Sequence, residues 1–223
     1  MKIWNRFGKP SAVDTKKAHS IEAVAIFGYA DCSEKDSLYQ EVVKVSNCLA
    51  KAGYVIVDGG GPGVMRAATL GAKQAGGKTI GVTFYPKSDD PHINYEGRDP
   101  KNPFDKEIKA DNYVERTLTL MKEGQVYVIF NGGTGTISEF GMAWGLARLY
   151  FGHHKPLILY GKFWNNIIKA FKENMLIRPK ELKVYKIVNS PQEVLNAICE
   201  FEAEIERGEH KHHLEATKGD FSI

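Results

Sequence analysis

The chain has 223 residues, 43% of them hydrophobic, which is enough to bury one sizeable core. Its formal charge of +3 comes from 30 basic and 27 acidic residues that are interspersed, so no basic stripe indicates a nucleic-acid interface. No stretch approaches the roughly 18 apolar residues of a membrane-spanning helix, and residues 1–20 lack the apolar core of a signal peptide. We therefore expect a cytoplasmic protein that binds neither nucleic acid nor a membrane.

The three cysteines, Cys32, Cys48 and Cys199, are far apart and show no metal-ligand spacing. This pattern predicts free thiols in a reducing compartment. The histidines of 210–213 lie in a polar tail, where solvated side chains are the usual arrangement. We expect no bound metal and no resident cofactor.

Apolar runs alternate with helical periods along most of the chain. The predicted strands are 21–27, 54–58, 78–84, 125–130, 156–160 and 184–188, and the predicted helices are 34–52, 64–75, 111–122, 137–150, 163–175 and 190–207. Residues 85–110 show no clear period and are predicted to form a long loop or a small excursion. The alternation predicts an α/β fold with a doubly wound, Rossmann-like parallel sheet and helices on both faces. We expect an N-terminal arm (1–20), one nucleotide-binding domain (21–207) and a polar C-terminal tail (208–223).

The most informative stretch is the glycine-rich turn of residues 130–139, which links a predicted strand to a predicted helix. Glycines let backbone N–H groups come close to a ligand, and the helix dipole favours an anion at that point. The candidate phosphate-binding residues in this turn are Gly132, Gly133, Thr134, Gly135 and Thr136. Glu139 follows within the first helical turns, which suggests acid–base chemistry beside a bound phosphate.

The first glycine turn in chain order, Gly59 to Gly63, also follows a strand and precedes a helix, so the turn of residues 130–139 is the second glycine turn. The first turn lacks the third glycine of the dinucleotide fingerprint, and neither turn is followed by the Gly-Lys-Ser/Thr of a Walker A motif. In doubly wound sheets, ligands bind where strand order reverses, so both turns face one crevice if their strands are close. The pattern favours a site for one phosphate or a mononucleotide, although glycines also serve tight packing of helix on strand.

The motifs Gly59-Gly-Gly-Pro-Gly-Val-Met65 and Asn131-Gly-Gly-Thr-Gly-Thr-Ile-Ser-Glu139 resemble the paired signatures of the LOG family. These proteins are cytokinin riboside 5′-monophosphate phosphoribohydrolases, often mislabelled as lysine decarboxylases. The resemblance covers roughly residues 21–200, and the spacing from Arg116 to Asn131 is similar too. It implies hydrolysis of the N-glycosidic bond of a nucleoside 5′-monophosphate, AMP or a cytokinin type, to free base and ribose 5-phosphate. It also implies a homodimer or larger homo-oligomer.

The resemblance further implies that Arg116 and Glu139 are the catalytic pair. A carboxylate can stabilise an oxocarbenium-like sugar and act on the attacking water. The guanidinium can bind phosphate or sugar oxygens or the departing base, and we expect it to pair with Glu139 in the empty site. A solvent-exposed helical arginine and a glutamate favoured by the helix dipole are the structural alternatives. The remaining implied binding residues, besides those of 132–136, are Gly28, Gly60, Gly61, Gly63 and Met65.

Four features depart from the family pattern: Asn131 replaces a proline, Thr117 replaces a lysine, Met142 replaces a further acidic residue, and residues 113–115 differ from those that usually precede the arginine. We expect these changes to surround the base and sugar, so the identity of the base stays open. The alternative function is a non-catalytic nucleotide-binding or carrier protein, like the molybdenum-cofactor carriers, which keeps the glycine turns and binds a phosphorylated ligand. The Arg116 and Glu139 pair favours the enzyme, because a carrier has no need of both.

Overall fold

The computed structural model describes residues 21–85, 97–149 and 154–207. The predicted N-terminal arm and C-terminal tail lie outside the described residues. Within the described ranges, no helix combines the length and the hydropathy needed to cross a membrane.

Seven strands form one sheet in which every neighbouring pair is parallel. They are β1 (Ala23–Phe27), β2 (Val55–Asp58), β3 (Thr79–Phe84), β4 (Lys106–Ala110), β5 (Val126–Ile129), β6 (Leu157–Tyr160) and β7 (Tyr185–Val188). The strand order is β4-β3-β2-β1-β5-β6-β7, so the chain builds outwards from β1 on one side and then returns to β5 on the other. This confirms the predicted doubly wound α/β fold and places the reversal of strand order between β1 and β5.

Six α-helices cover the two faces of this sheet. They are α1 (Ser37–Lys51), α2 (Val64–Gln74), α3 (Tyr113–Glu123), α4 (Thr134–Leu149), α5 (Phe163–Asn174) and α6 (Pro191–Glu206), with a 3₁₀ helix at Pro179–Lys183. Buried side chains of α1, α2 and α6 share one core with the sheet, and those of α3, α4 and α5 share a second core on the opposite face. The strands contribute to both cores, which explains why they are apolar along nearly their whole length.

The prediction of a loop over 85–110 is wrong for its last five residues, which form β4. The strand reads Lys-Glu-Ile-Lys-Ala and pairs with β3, with Ile108 opposite Val82. It lies at the edge of the sheet, and of its five residues only Ala110 is buried. Charged side chains are typical of edge strands, because they discourage further strand pairing, and here they hide the apolar run that identifies a strand in the sequence.

Helix α4 begins at Thr134, three residues before the predicted start at Ile137. Phe140 fixes this helix on the sheet, since its ring centroid lies 4.8 Å from that of Trp164 and 5.1 Å from that of Trp144. Trp164 in turn donates a hydrogen bond from its indole N–H to the carbonyl of Ile129, at the end of β5 (3.2 Å). The start of α4 is therefore held firmly beside the carboxyl end of β5.

Candidate functional site

A cavity of about 460 Å³ opens at the carboxyl ends of β1, β2, β3 and β5. This is the edge of the sheet, and the point of reversed strand order, at which doubly wound folds bind ligands. The lining residues come from the ends of these strands and the starts of the helices that follow, and they are Ile26, Phe27, Gly28, Tyr29, Ala30, Gly59, Met65, Phe84, Tyr113, Arg116, Gly133, Thr134, Gly135, Thr136 and Glu139. The volume lies within the range of small-molecule sites.

Both residues proposed as the chemical pair line this one cavity, as do most of the proposed binding residues. The structure brings together Arg116, Glu139, Gly28, Met65, Gly133, Thr134, Gly135 and Thr136. The four proposed glycines that do not line the cavity are Gly60, Gly61, Gly63 and Gly132. The site is therefore built mainly around the second glycine turn and the centre of the sheet.

Arg116 is buried in the first turn of α3, and its guanidinium is held at one edge. Nε donates to the carbonyl of Val82 (3.0 Å), and Nη2 donates to the carbonyl of Gly59 (3.1 Å) and lies 3.2 Å from the sulfur of Met65. Nη1 has no hydrogen-bond partner among the described residues. A buried guanidinium anchored at one edge and unpaired at the other is well placed to bind an anion in the cavity.

The turn before α4 provides a second set of donors. Because α4 begins at Thr134, the N–H groups of Thr134, Gly135 and Thr136 belong to the first helical turn, which has no acceptor within the helix. Gly133 precedes them, and a Cβ atom built on it would meet no atom within 4 Å, so space is open in front of the turn. This arrangement suits a phosphate, since amide donors and the positive end of the helix dipole converge there.

Glu139 lies on α4 after this cradle and is buried, with 8% of its surface exposed. It reaches the same cavity as Arg116, but no ion pair within 4.0 Å joins the two side chains in the described part of the chain. The expected Arg116–Glu139 pairing in the empty site is thus not observed. Both side chains therefore line the cavity without a direct ion pair between them.

The first glycine turn forms a wall of the site. The carbonyl of Gly60 accepts from the backbone N–H of Asp99 (2.9 Å), and that of Gly61 accepts from the side-chain amide of Asn102 (3.0 Å). Gly63 has a φ of 60°, and a Cβ atom on it would lie 2.2 Å from the carbonyl oxygen of Ala30. These glycines allow close packing between the turn and its neighbours, which was the structural alternative for this motif.

Asp58, the last residue of β2, holds the turn Gly59 to Gly63 by hydrogen bonds. Its carboxylate is fully buried and accepts hydrogen bonds from the N–H of Gly60 (2.7 Å) and the hydroxyl of Thr69 (2.6 Å). Burial raises the pKa of Asp58 to about 6, and these hydrogen bonds, with the nearby charge of Arg116, oppose that rise. The same turn thus links Asp58 to Arg116, since the carbonyl of the intervening Gly59 accepts from the guanidinium.

Sequence reasoning missed most of the aromatic side of the cavity, because it singled out Tyr113 only as part of a departure from the family pattern. Phe84 is buried at the end of β3, and Tyr113 packs edge-on against it with ring centroids 6.0 Å apart. Tyr113 and Tyr29 are each about two-fifths exposed and lie at the cavity wall. The sequence could have identified these aromatic residues by their position, because the ends of the strands and the starts of the following helices converge at the ligand-binding edge of a doubly wound sheet. Aromatic faces suit a planar ring on the ligand.

Of the four departures from the LOG pattern, only residues 113–115 reach the cavity, through Tyr113. Thr117 is buried and donates its hydroxyl to the carbonyl of Tyr113 (3.1 Å), and Met142 packs against the core beneath α4. Asn131 is exposed, and its carbonyl accepts from the N–H of Tyr29 (3.0 Å). The cavity lining therefore agrees with the expectation that the departures surround the base and sugar at Tyr113, and not at the other three positions.

Comparisons with known proteins agree with this fold. The sequence model of the SLOG cluster4 family matches residues 22–188. An uncharacterized protein from Archaeoglobus fulgidus is 27% identical over 139 residues, which are 62% of this chain and 83% of that protein.

Solved structures with similar folds include the molybdenum cofactor binding protein of Rippkaea orientalis, with a TM-score of 0.60 and 22% identity. That match covers 81% of this chain and 97% of the other. The Moco carrier protein of Chlamydomonas reinhardtii matches with a TM-score of 0.58 and 21% identity, over 82% of this chain and 99% of the other. At these identities the likeness establishes the fold alone.

Proposed function

Because the chain belongs to the SLOG cluster4 family, we propose that it binds a small phosphorylated ligand in the cavity at the centre of its sheet. The ligand class is a nucleoside 5′-monophosphate or a phosphorylated cofactor of similar size. The single observation that carries this proposal is the convergence of the first-turn amides of α4 and the buried guanidinium of Arg116 on one cavity.

Each part of the cavity supports this ligand class. The start of α4 and Arg116 provide donors and positive charge for a phosphate. The aromatic side, formed by Tyr29, Phe84 and Tyr113, offers ring faces for a base or a pterin. All lining residues fall between Ile26 and Glu139, so we propose residues 21–207 as the binding domain.

A carrier role is supported by the likeness to proteins described as molybdenum-cofactor binding and carrier proteins. The molybdenum cofactor bears a phosphate, and a carrier needs a phosphate cradle and a ring-binding wall without any bond cleavage. For such a cargo, the same cradle residues Gly133 to Thr136 would hold the phosphate. Arg116 would add charge to that contact.

Binding is tested by isothermal titration calorimetry with AMP, adenosine, ribose 5-phosphate and inorganic phosphate. We expect AMP to bind at least about tenfold more tightly than adenosine, because adenosine lacks the phosphate. Arg116→Ala should weaken AMP binding about 10- to 100-fold and leave adenosine binding nearly unchanged. Arg98→Ala, outside the cavity, serves as the matched control. Equal affinities for AMP and adenosine, or no effect of Arg116→Ala, would contradict the proposal.

Hydrolysis of a nucleoside 5′-monophosphate is the second candidate function, and the buried Glu139 in the same cavity favours it. In this reaction the bond from the sugar C1′ to the base nitrogen breaks, and the base leaves with the electron pair. A water oxygen bonds to C1′, Glu139 accepts a proton from that water, and the base takes a proton from solvent. Arg116 holds the phosphate or a sugar oxygen during this step.

Product analysis separates the two candidates. The protein is incubated with AMP, N6-prenylated AMP and other nucleoside 5′-monophosphates, and the products are resolved by chromatography. If the protein is a hydrolase, free base and ribose 5-phosphate appear, and Glu139→Gln slows their release at least about 100-fold while AMP affinity stays within a few-fold. Glu173→Gln, on the exposed side of α5, is the control. Binding of nucleotides without base release from any of them would leave the carrier role.

A further inference from the structure

Tyr113 and Arg116 lie on the same side of the first turn of α3. Tyr113 is the first residue of this helix, and Arg116 follows three positions later, a spacing that makes two side chains neighbours on a helix surface. Both side chains line the cavity. The first turn of α3 therefore brings a phenol as well as a guanidinium to the ligand site.

The Tyr113 hydroxyl lies beside the glycine turn that begins α4. A Cβ atom built on Gly135 would lie 3.5 Å from the Tyr113 hydroxyl oxygen. In an α-helix the Cα–Cβ bond tilts towards the N-terminus, so the hydroxyl is next to the N-terminal end of α4. The first-turn N–H groups of α4 point towards the same end. One hydroxyl and several amide donors are thus neighbours at this point of the cavity.

The hydroxyl and these amides are close enough to bind a single phosphate group. A Cβ atom is about 2.5 Å from the nitrogen of its own residue, which places the Tyr113 hydroxyl oxygen within about 6 Å of the Gly135 nitrogen. Hydrogen bonds of about 2.9 Å from an N–H and about 2.7 Å from an O–H, made to oxygens of one phosphate, bridge such a distance. A phosphate bound to the first turn of α4 is therefore within reach of Tyr113.

The hydroxyl proton of Tyr113 is not used by the protein, since this hydroxyl has no hydrogen-bond partner in the part of the chain that the structure describes. Tyr127, by contrast, donates its hydroxyl to the carbonyl of Met121 (2.7 Å). Tyr160 donates its hydroxyl to the carboxylate of Glu41 (2.7 Å). The Tyr113 hydroxyl is therefore available as a donor to a ligand.

The buried ring of Phe84 supports both Tyr113 and Arg116. Tyr113 packs edge-on against it, with ring centroids 6.0 Å apart and an angle of 78° between the ring planes. The guanidinium carbon of Arg116 lies 5.9 Å from the centroid of the same ring. One side chain thus positions two donors, and donors that are already positioned lose less conformational entropy when a ligand binds.

We propose that the Tyr113 hydroxyl donates a hydrogen bond to the phosphate of the ligand, between the amides of α4 and the guanidinium of Arg116. Because it requires a phosphate on the first turn of α4, this role of Tyr113 rests on the proposed function. A hydrogen bond from a hydroxyl to an ionised phosphate is stronger than one between neutral groups. Tyr113 therefore contributes to the selection of a phosphorylated ligand, in addition to any contact between its ring and a base.

Tyr113→Phe tests this role because it removes the hydroxyl and keeps the ring. The variant and the wild type are titrated calorimetrically with AMP, ribose 5-phosphate and adenosine. We expect the variant to bind AMP and ribose 5-phosphate at least about fivefold more weakly, by a similar factor for both, because both ligands carry the phosphate. Adenosine lacks the phosphate, so its affinity should stay within about twofold of that of the wild type.

Tyr85→Phe is the matched control. Tyr85 is similarly exposed, does not line the cavity and donates its hydroxyl to the carboxylate of Glu107 (3.1 Å). This variant should bind all three ligands as the wild type does. Circular dichroism and urea unfolding check the fold of both variants, and Tyr113→Phe should unfold at the urea concentration of the wild type because it loses no hydrogen bond within the protein.

Gly135→Ala tests the contact between the hydroxyl and the turn. Gly135 has no positive φ, and its added methyl group would meet the Tyr113 hydroxyl at an ordinary contact distance, so the fold should tolerate the change. The methyl group takes up space between the hydroxyl and the amides, so ribose 5-phosphate should bind at least about fivefold more weakly. In this background, Tyr113→Phe should weaken binding less than about twofold. Fully independent effects of the two substitutions would contradict a shared phosphate contact.

The role of Tyr113 and the proposed function can fail separately. The role of Tyr113 is wrong if Arg116→Ala weakens AMP binding as expected while Tyr113→Phe binds ribose 5-phosphate like the wild type. An equal loss of adenosine affinity in Tyr113→Phe would assign the hydroxyl to the base or the sugar, and would also overturn the proposal. If the wild type binds AMP no more tightly than adenosine, both the proposed function and the role of Tyr113 are wrong.

Discussion

Gly59 and Arg116 fit so closely that a Cβ atom on Gly59 would lie 1.8 Å from Nη2 of Arg116. The same nitrogen donates to the carbonyl of Gly59. The glycine therefore both admits the guanidinium and holds it, at the point where β2 ends and the cavity begins. The charge of Arg116 is positioned by the backbone of the first glycine turn, which explains why that motif matters even though most of it forms a wall.

We expect Gly59→Ala to weaken binding of AMP at least about tenfold, because the added methyl group displaces the guanidinium from the cavity wall. A double-mutant cycle with Arg116→Ala isolates this effect. In the Arg116→Ala background, Gly59→Ala should change the affinity less than about twofold. Calorimetric titration of the four proteins gives all the values, and equal effects of Gly59→Ala in both backgrounds would show that the two residues are not coupled.

Gly132 and Gly133 are adjacent, and we expect the same substitution to act differently at each. Gly133→Ala places its methyl group in open space that the ligand's phosphate would occupy, so AMP affinity should fall about tenfold or more while the free energy of unfolding stays within about 0.5 kcal/mol. Gly132→Ala places its methyl group 2.1 Å from the Thr136 hydroxyl oxygen, so it should destabilise the fold by about 1–3 kcal/mol. Urea unfolding and calorimetry distinguish them, and equal stability losses would contradict this geometry.

The fold was predictable because most of its strands are apolar along their length and its first three helices end next to glycines, at Gly53, Gly76 and Gly124. The edge strand β4 was missed, since three of its five residues are charged and its pairing with β3 is invisible locally. A regular spacing of apolar residues identifies an element whose side chains are buried in the core, and in β4 only Ala110 is buried. The early start of α4 was also missed. Gly133 precedes the first turn of the helix and Gly135 lies within that turn, but in the sequence both glycines look like a continuation of the loop.

The candidate site was predictable in its centre and not in its walls. The position of Arg116 and Glu139 in one cavity was predicted from the family resemblance. The position of the turn that precedes α4 was predicted because doubly wound sheets bind ligands at the carboxyl ends of their strands. The roles of Gly60 and Gly61 depend on Asn102 and Asp99, which lie about forty residues further along the chain. Contacts of this kind arise only from the packed structure, so a glycine motif could not reveal whether its amides bind a ligand or the protein.

Asp58 gives the stability of the protein a distinct pH dependence. Its folded pKa of about 6 lies above the ordinary value near 4, because burial disfavours the charged form. Between pH 4 and 6 the folded state therefore holds more protons than the unfolded state, and this group's contribution to the free energy of unfolding falls as pH rises, by about 3 kcal/mol in all. Above pH 6 the loss is complete.

We expect Asp58→Asn to remove this slope, because asparagine does not titrate. Urea unfolding at pH 4.5, 5.5, 6.5 and 7.5 measures the free energy of unfolding of both proteins. As pH rises through 6, the free energy of unfolding of the variant should increase relative to that of the wild type. The asparagine keeps one acceptor oxygen for the N–H of Gly60 or the hydroxyl of Thr69, so a constant offset is also expected. A stability difference independent of pH would show that Asp58 is not the titrating group.

Lys155 holds the far end of the helix that carries Arg116. Its ammonium donates to the carbonyls of Met121 (2.6 Å), Gly124 (2.7 Å) and Lys122 (3.3 Å). These carbonyls lie at the C-terminal end of α3, where no backbone N–H of the helix is available to donate to them. We expect Lys155→Met, which keeps the apolar stem and removes the donors, to lower the free energy of unfolding by about 1–3 kcal/mol. Lys122→Met, at an exposed position of the same helix, should change it by less than about 0.5 kcal/mol. AMP affinity should stay within about twofold for both variants, because the carbonyls of Val82 and Gly59 anchor Arg116 at the other end of α3. A large loss of AMP affinity in Lys155→Met would show that the whole helix, and not those two carbonyls, positions the guanidinium.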